Sequence, residues 1–225
     1  MKRSLKQLIM AAGPSMPRPV VKALNNLTSY LELGQQAKEQ HFGRPRLFPT
    51  REDLFAFAIE QIGSRQLLYL EFGVSDGGTF RYWVDAVRTP SARFVGFDSF
   101  EGLPVKWNRE NPRGKFSTGG SVPEIEDERA EFVKGWLSDT LPTYRAPEHE
   151  LLFVNVDVDL YSSTATCLTH VEGLLKIGSY IYFDEYNDRC NEMRAFDEFL
   201  DRTGMRFQAV AAVDNMWQWL FRRVA

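Results

Sequence analysis

A chain of 225 residues with 44% hydrophobic and 13% aromatic side chains can bury one sizeable core. Its 27 Lys and Arg against 30 Asp and Glu, a formal net charge of −3, argue against a nucleic-acid binder. Two cysteines, Cys167 and Cys190, are too few for a disulfide framework, and no apolar run approaches the roughly 20 residues of a membrane span, so the sequence reads as a cytoplasmic protein without a transmembrane segment.

Residues 1–50 read as a separate N-terminal appendage, basic and helical, with prolines at 14, 17, 19, 45 and 49. Lys2, Arg3, Lys6, Arg18 and Lys22 all precede the first acidic residue, Glu32. Segment 1–31 therefore suits peripheral contact with an anionic surface or with the chain's own acidic body. The run 20–39 fits one helix, whose apolar face also suits packing against a second subunit in a homo-oligomer. Thr50 and Asp53 resemble a capping box that opens a helix over 51–62 and begins the main domain, 51–225.

From residue 67 strands and helices alternate. Residues 67–72 form a buried strand ending at Glu71-Phe72-Gly73, and the loop Val74-Ser75-Asp76-Gly77-Gly78 leads into a helix over 79–87. A second strand, 93–97, ends at Asp98. Residues 101–130 break the pattern with three prolines and four glycines and read as a substrate lid over the strand ends. Strands follow at 131–133, 151–156 and 180–183, with helices at 162–176 and 191–202. The last two strands, 207–213 and 216–222, are separated only by Asp214-Asn215, a tight-hairpin signal. The fold class is α/β: a mainly parallel sheet of seven strands finished by an antiparallel hairpin, with helices on both faces.

Two acidic clusters carry most of the functional information. Asp157-Val158-Asp159 follows the strand 151–156, and Asp184-Glu185 follows the strand 180–183. A strand-helix-strand unit makes these strands parallel neighbours, so both clusters open on the carboxyl edge, where open α/β sheets bind ligands. Converging carboxylates need a counter-charge, and a divalent metal supplies one. The glycine loop lacks the G-x-G-x-x-G spacing of dinucleotide binders, and Glu71 beside it would repel a pyrophosphate but suits a cationic amino group. Asp98, at the end of the second strand, is placed for ribose hydroxyls or for capping the following turn. A nucleoside ligand with a cationic, phosphate-free tail fits S-adenosylmethionine better than NAD.

The segments GFDSFEGLP at 96–104, VKGWLSDTLP at 133–142, VDVDLYSST at 156–164 and FDEY at 183–186 resemble the macrocin O-methyltransferase family. That resemblance covers roughly residues 66–190. It implies a Rossmann-like class I fold and S-adenosylmethionine-dependent O-methylation of a sugar hydroxyl in a glycan or other small-molecule acceptor. It also implies that Glu71, Gly73, Val74, Ser75, Gly77 and Thr79 surround the methionine part of the cofactor. Asp98 would hold the ribose, Ser99, Gly135 and Trp136 would line the adenine pocket, and Asp157 would border the same ligand. Magnesium would be held by Asp157, Asp184 and Glu185, where the family usually carries a second aspartate at the last position.

In that scheme Asp157, Asp159 and Asp184 are the catalytic set. Asp159 is either the base that takes the acceptor proton or the cap of the helix that follows. His149 sits at the wrong strand end, and His170 falls mid-helix. Trp107 and Trp136 have the placement to stack on a sugar or on adenine. Two alternatives differ in function. One is a phenol or catechol O-methyltransferase, against which stands Leu160, where such enzymes carry a lysine. The other is a cofactor-binding scaffold without catalysis.

Overall fold

The computed structural model describes residues 4–225, so Lys2 and Arg3 of the basic segment lie outside them. Two helices lead the chain, α1 (Leu5–Ala12) and α2 (Arg18–Glu39), separated where Pro14 and Pro17 interrupt the helical bonding. Then follow β1 (Arg46–Phe48), α3 (Arg51–Ile62), β2 (Leu67–Phe72), α4 (Gly78–Ala86), β3 (Arg93–Asp98) and β4 (Ala130–Lys134). The second half runs α5 (Leu137–Thr140), β5 (Leu151–Val156), α6 (Tyr161–Val171), β6 (Tyr180–Phe183), α7 (Glu192–Thr203), β7 (Phe207–Val213) and β8 (Trp219–Arg223).

The strands form a single sheet in the order β1-β7-β8-β6-β5-β2-β3-β4. All pairings are parallel except those of β8, which is inserted antiparallel between β6 and β7. The sheet therefore has eight strands where the sequence suggests seven. The extra one, β1, pairs with β7 over three residues, too short a stretch to show a pattern of its own. The terminal hairpin also differs in detail. Its turn spans 214–218, closed by bonds from Met216 N to Val213 O and from Val213 N to Gln218 O, so β8 starts at Trp219 and not at Met216. Helix α6 stops at Val171, well short of residue 176, because Gly173 and the turn at 172–178 end it.

Strands β2 and β5 lie side by side at the centre, and each is buried along its whole length. From β2 the chain winds outward through β3 and β4. From β5 it winds the other way through β6. The carboxyl ends of β2 and β5 thus part at the point where the winding reverses, which opens a crevice between the loops that follow them. Two apolar layers hold this frame. On one face Cys167, Leu168 and Val171 of α6 and Phe196 and Phe199 of α7 pack against Leu68, Leu70 and Val154. On the other, Leu54 and Phe55 of α3 and Phe80 and Trp83 of α4 pack against Tyr69, Phe153 and Tyr182. Thr50 accepts the Asp53 amide at 3.1 Å and starts α3 where the capping pattern places it.

The stretch 101–130 holds no helix or strand before Ala130, yet its base is pinned. Leu103 N donates to Lys115 O and Gly114 N to Leu103 O, both at 2.9 Å, while Thr118 and Gly120 both donate to Phe100 O. Among the described residues no helix is long and apolar enough to cross a membrane.

Candidate active site

A cleft of about 970 Å³ opens at the carboxyl edge, within the size range of small-molecule sites. The loops after β2, β3, β4, β5 and β6 all reach it. Gly73 follows β2 with φ +88°, and a Cβ there would stand 1.7 Å from Asp157 O. Only glycine permits that approach, which draws the β2 and β5 loops together at the floor of the cleft.

Asp98 organises the wall beside this floor. Its Oδ2 accepts the amides of Val74 and Ser75, each at 2.8 Å, and its Oδ1 accepts Phe100 N at 2.7 Å. A carboxylate offers about four acceptor positions. Three of Asp98's are engaged by backbone, which holds Ser75 in a left-handed conformation, φ 52°. The residue is thus a loop brace first, with one acceptor position left for a ligand hydroxyl. Ser99, Gly135 and Trp136 line the cleft nearby, and Gly135 N bonds to Asp98 O at 2.9 Å.

Glu71 is fully buried at the end of β2. Tyr69 donates its hydroxyl to Glu71 Oε2, and Asn155 Nδ2 donates to the same oxygen at 3.1 Å. Burial pushes the carboxyl up to about 8, against the pull of those two bonds and of Arg51. A cationic group brought against this carboxyl would favour its charged form.

The acidic clusters meet as the β5–β6 pairing requires. Asp157, Asp159, Asp184 and Glu185 all line the cleft. Burial and the charges of Asp184, Asp159 and Glu71 raise the Asp157 carboxyl well above the usual range. Asp159 rises to about 7 and Glu185 to about 8, in each case from burial and then from the neighbouring acids. Asp159 does not cap α6. Asn191 Oδ1 accepts the Tyr161 amide at 2.9 Å, and Asp159 sits in a left-handed turn, φ 59°.

Arg51, which the sequence does not single out, supplies the positive charge. As the first residue of α3 it reaches across the edge, and its Nη1 lies 3.3 Å from Asp184 Oδ1. Tyr182 donates to the same oxygen at 2.7 Å. Burial works against the guanidinium, but Asp184, Tyr182 and Asp157 outweigh it and hold the charge firmly. Asp157, Asp184 and Glu185 are an all-oxygen set suited in chemistry to a hard divalent cation. Among the described residues, however, no three acidic, His or Cys side chains are gathered closely enough to hold one. The set fits the ion in charge and not yet in geometry.

Other expectations sort clearly. Val74, Ser75 and Thr79 border the cleft, but Gly77 does not. A Cβ on Gly77 would meet Pro123 at 2.8 Å, so this glycine, φ +81°, makes room for the 101–130 stretch. Trp136 lines the cleft, whereas Trp107 donates its indole N–H to Asp188 at 3.2 Å. Glu192 is a second residue the sequence leaves unmarked. Wholly buried, it accepts the Glu185 amide at 2.8 Å and so fixes the turn that presents Asp184 and Glu185. Nothing in its local sequence separates it from the other acids of α7.

The family model for macrocin-O-methyltransferase (TylF) matches residues 43–223. The chain belongs to the macrocin O-methyltransferase family. Family relatives include mycinamicin III 3''-O-methyltransferase of Micromonospora griseorubida, 35% identical over 133 residues that cover 50% of this chain and 51% of that protein. A tetracenomycin-C derivative 4'-O-methyltransferase of Streptomyces olivaceus, whose substrate name includes a dimethoxy-rhamnosyl group, is 34% identical over 161 residues, 60% of this chain and 59% of the relative. Demethyldecarbamoylnovobiocin O-methyltransferase of Streptomyces niveus is 36% identical over 97 residues, 38% of this chain and 36% of the relative. The chain spans about half the length of the curated relatives it matches. Among solved structures, the O-methyltransferase NovP superposes with a TM-score of 0.65 at 23% identity, covering 78% of this chain and 80% of NovP. The calicheamicin methyltransferase CalS11 does so at 0.59 and 20%, covering 99% and 94%. Both likenesses establish the class I methyltransferase fold of this family member.

Proposed function

We propose that the chain transfers a methyl group from S-adenosylmethionine to a sugar hydroxyl of a glycan, a polysaccharide precursor or a glycosylated natural product. The observation that carries this reading is the meeting, in one cleft, of the braced glycine loop with the Asp157, Asp159 and Asp184 carboxylates. Family membership gives the reaction class, and the rhamnosyl group in the name of the tetracenomycin relative supports a sugar as the acceptor.

Bound S-adenosylmethionine would supply an electrophilic methyl group on a sulfonium. The chain's residues would do the rest. Glu71 faces the cationic amino group and takes up its negative charge when that group arrives. The loop 73–75, held by Asp98, gives the ligand a preformed backbone cradle. Trp136 and Ser99 border the base. Asp157 and Asp184 orient the acceptor hydroxyl. Asp159, titrating near 7, is matched to accepting its proton at neutral pH. Magnesium belongs to the same reading: Asp157, Asp184 and Glu185 would hold it only if drawn closer together than in this structure, and it would then supply Lewis acidity to the acceptor oxygen. Residues 51–225 form the catalytic unit in this scheme, with 101–130 as its lid and 1–50 as an appendage.

The test is a pair of variants, Asp157→Ala and Asp184→Ala, assayed with labelled methyl donor against a panel of sugar acceptors. Methyl transfer should fall by about a hundredfold or more while S-adenosylhomocysteine still binds. Full activity in both variants would end this assignment of roles. No transfer to any acceptor by wild-type protein that binds S-adenosylhomocysteine would favour a scaffold.

A further inference from the structure

Residues 103–115 fold back on themselves as a strap. Leu103 bonds to Gly114 and Lys115 at its root, and Trp107 N donates to Asn111 O at 3.1 Å near its tip. The Asn108 side chain closes the tip by accepting the Glu110 and Asn111 amides, each at 2.9 Å. The root hangs from the loop after β3, yet the tip is tied on the other side of the cleft. There Trp107 donates its indole N–H to Asp188 Oδ2 at 3.2 Å. Asp188 follows β6, and β3 and β6 stand three strand spacings apart in the sheet, about 14 Å. The strap thus spans the edge above the β2 and β5 loops, and its Leu103 and Pro104, with Phe116 beside the root, line the cleft. Among the described residues no other hydrogen bond or ion pair joins 101–120 to the chain beyond Lys134.

The far anchor leads on to helix α6. Leu160, at the N-cap of α6, has no side-chain oxygen to offer the first amides. Asn191 supplies one instead. It stands at the N-cap of α7 but makes no side-chain bond to its own helix, and its Oδ1 takes the Tyr161 amide at 2.9 Å. Its Nδ2 donates at 2.8 Å to Asp188 Oδ2, the oxygen that also takes the indole. The remaining bonds of Asp188, to Glu185 O and from the Cys190 and Asn191 amides, stay inside the loop 185–191. Among the described residues, the indole is therefore the one outside donor that fixes this carboxylate.

We infer that Asp188 is a positioning residue, which couples the tied strap through Asn191 and Tyr161 to the turn that presents Asp159. Asp159 lies two residues before Tyr161 in a left-handed conformation, φ 59°, so a loosened start of α6 releases that turn. The role rests on the reading of Asp159 as the group that takes the acceptor proton. Such coupling acts in both directions: what frees the strap loosens Tyr161, and what loosens the Asn191 cap frees the strap.

Trypsin and hydrogen exchange test the coupling on the full chain without turnover. Trp107→Phe keeps an aromatic ring and removes the N–H. It should speed cleavage after Arg109 or Arg113 about tenfold, and exchange of the Tyr161 amide at least about threefold. Asn191→Ala, at the other end, should also speed cleavage of the strap. Asp188→Asn, which keeps one acceptor oxygen, should fall between wild type and Asp188→Ala in both measurements. Trp217→Phe, in the β7–β8 turn, should change neither. Tyr161 exchange at the wild-type rate in Trp107→Phe would overturn the coupling, as would unchanged cleavage in Asn191→Ala. On a sugar acceptor that wild type methylates, kcat of Trp107→Phe should drop about tenfold at unchanged S-adenosylhomocysteine affinity. An unchanged kcat would overturn the positioning role. A wild type that methylates no sugar would end the methyl-transfer reading instead, while the cleavage and exchange rates still decide the tie.

Discussion

Gly73 and Asp157 are packed so closely that a Cβ on the glycine would lie 1.7 Å from the aspartate's carbonyl oxygen. This contact joins the two loops that part at the centre of the sheet, one carrying the Asp98-braced residues 73–75 and the other the acidic cluster. Gly73→Ala combines that clash with a φ of +88°, which L side chains rarely adopt. It should destabilise the protein by on the order of 3 kcal/mol or more in denaturant unfolding and abolish S-adenosylhomocysteine binding. A loss below about 0.5 kcal/mol would show that the loops separate at little cost.

Asp98→Asn removes the charge from three backbone hydrogen bonds and replaces one acceptor with a donor. Both stability and cofactor affinity should fall, the first by about 1–3 kcal/mol and the second by about tenfold or more. Calorimetric titration and chemical unfolding separate the two effects. A weakened affinity at unchanged stability would mean that the carboxylate serves the ribose alone.

The buried Glu71 carboxyl, pushed up to about 8 from an ordinary value of 4.5, makes a signed prediction. A raised acid favours the folded state below the unfolded pKa, and that advantage is lost as pH climbs through the folded one. Relative to Glu71→Gln, wild type should therefore lose stability between pH 4.5 and pH 8, with little further change above. Urea melts of the two proteins at several pH values would read this directly. An ammonium ligand favours the charged form, so S-adenosylhomocysteine binding at pH 7 should release a proton. Binding heats that do not vary with buffer ionisation enthalpy would argue against Glu71 as the amino-group partner.

Arg51 is the cation in contact with Asp184, 3.3 Å away. Removing it leaves the acidic cluster more negative, so magnesium should bind Arg51→Ala at least about threefold more tightly than wild type in calorimetry. Turnover on an acceptor should nevertheless fall, because Asp184 loses its anchor, and Arg51→Lys should recover part of it. If neither wild type nor Arg51→Ala takes up magnesium, the carboxylates work without that ion.

Strand positions and the acidic clusters were legible because they depend on local periodicity. A short continuous apolar run such as 67–72 or 151–156, bounded by turn residues, fits a strand buried on both faces, and the last residues of such a strand emerge at the carboxyl edge. Glu71, Asp98, Asp157 and Asp184 follow from that rule, and all four line the cleft. Strand β1 was not legible, since three residues carry no period and its pairing with β7 joins segments over 160 residues apart. The hairpin turn was misjudged because Asp214-Asn215 signals a two-residue turn, while the register places Trp219 opposite both Phe183 and Ala212.

By itself, then, the sequence determined the alternation of strands and helices, the family and the acids at the strand ends, all of which arise from neighbours along the chain. Only the tertiary structure decided which groups those acids face. It set the Asp98 carboxylate on the amides of Val74 and Ser75, Arg51 on Asp184 and Glu192 behind Glu185. It also buried Leu33 of α2 while leaving Leu24, Leu27 and Leu31 exposed. Each of these depends on where separate elements come to lie across the sheet edge, and a charge or a leucine reads the same in sequence whichever neighbour the fold brings to it.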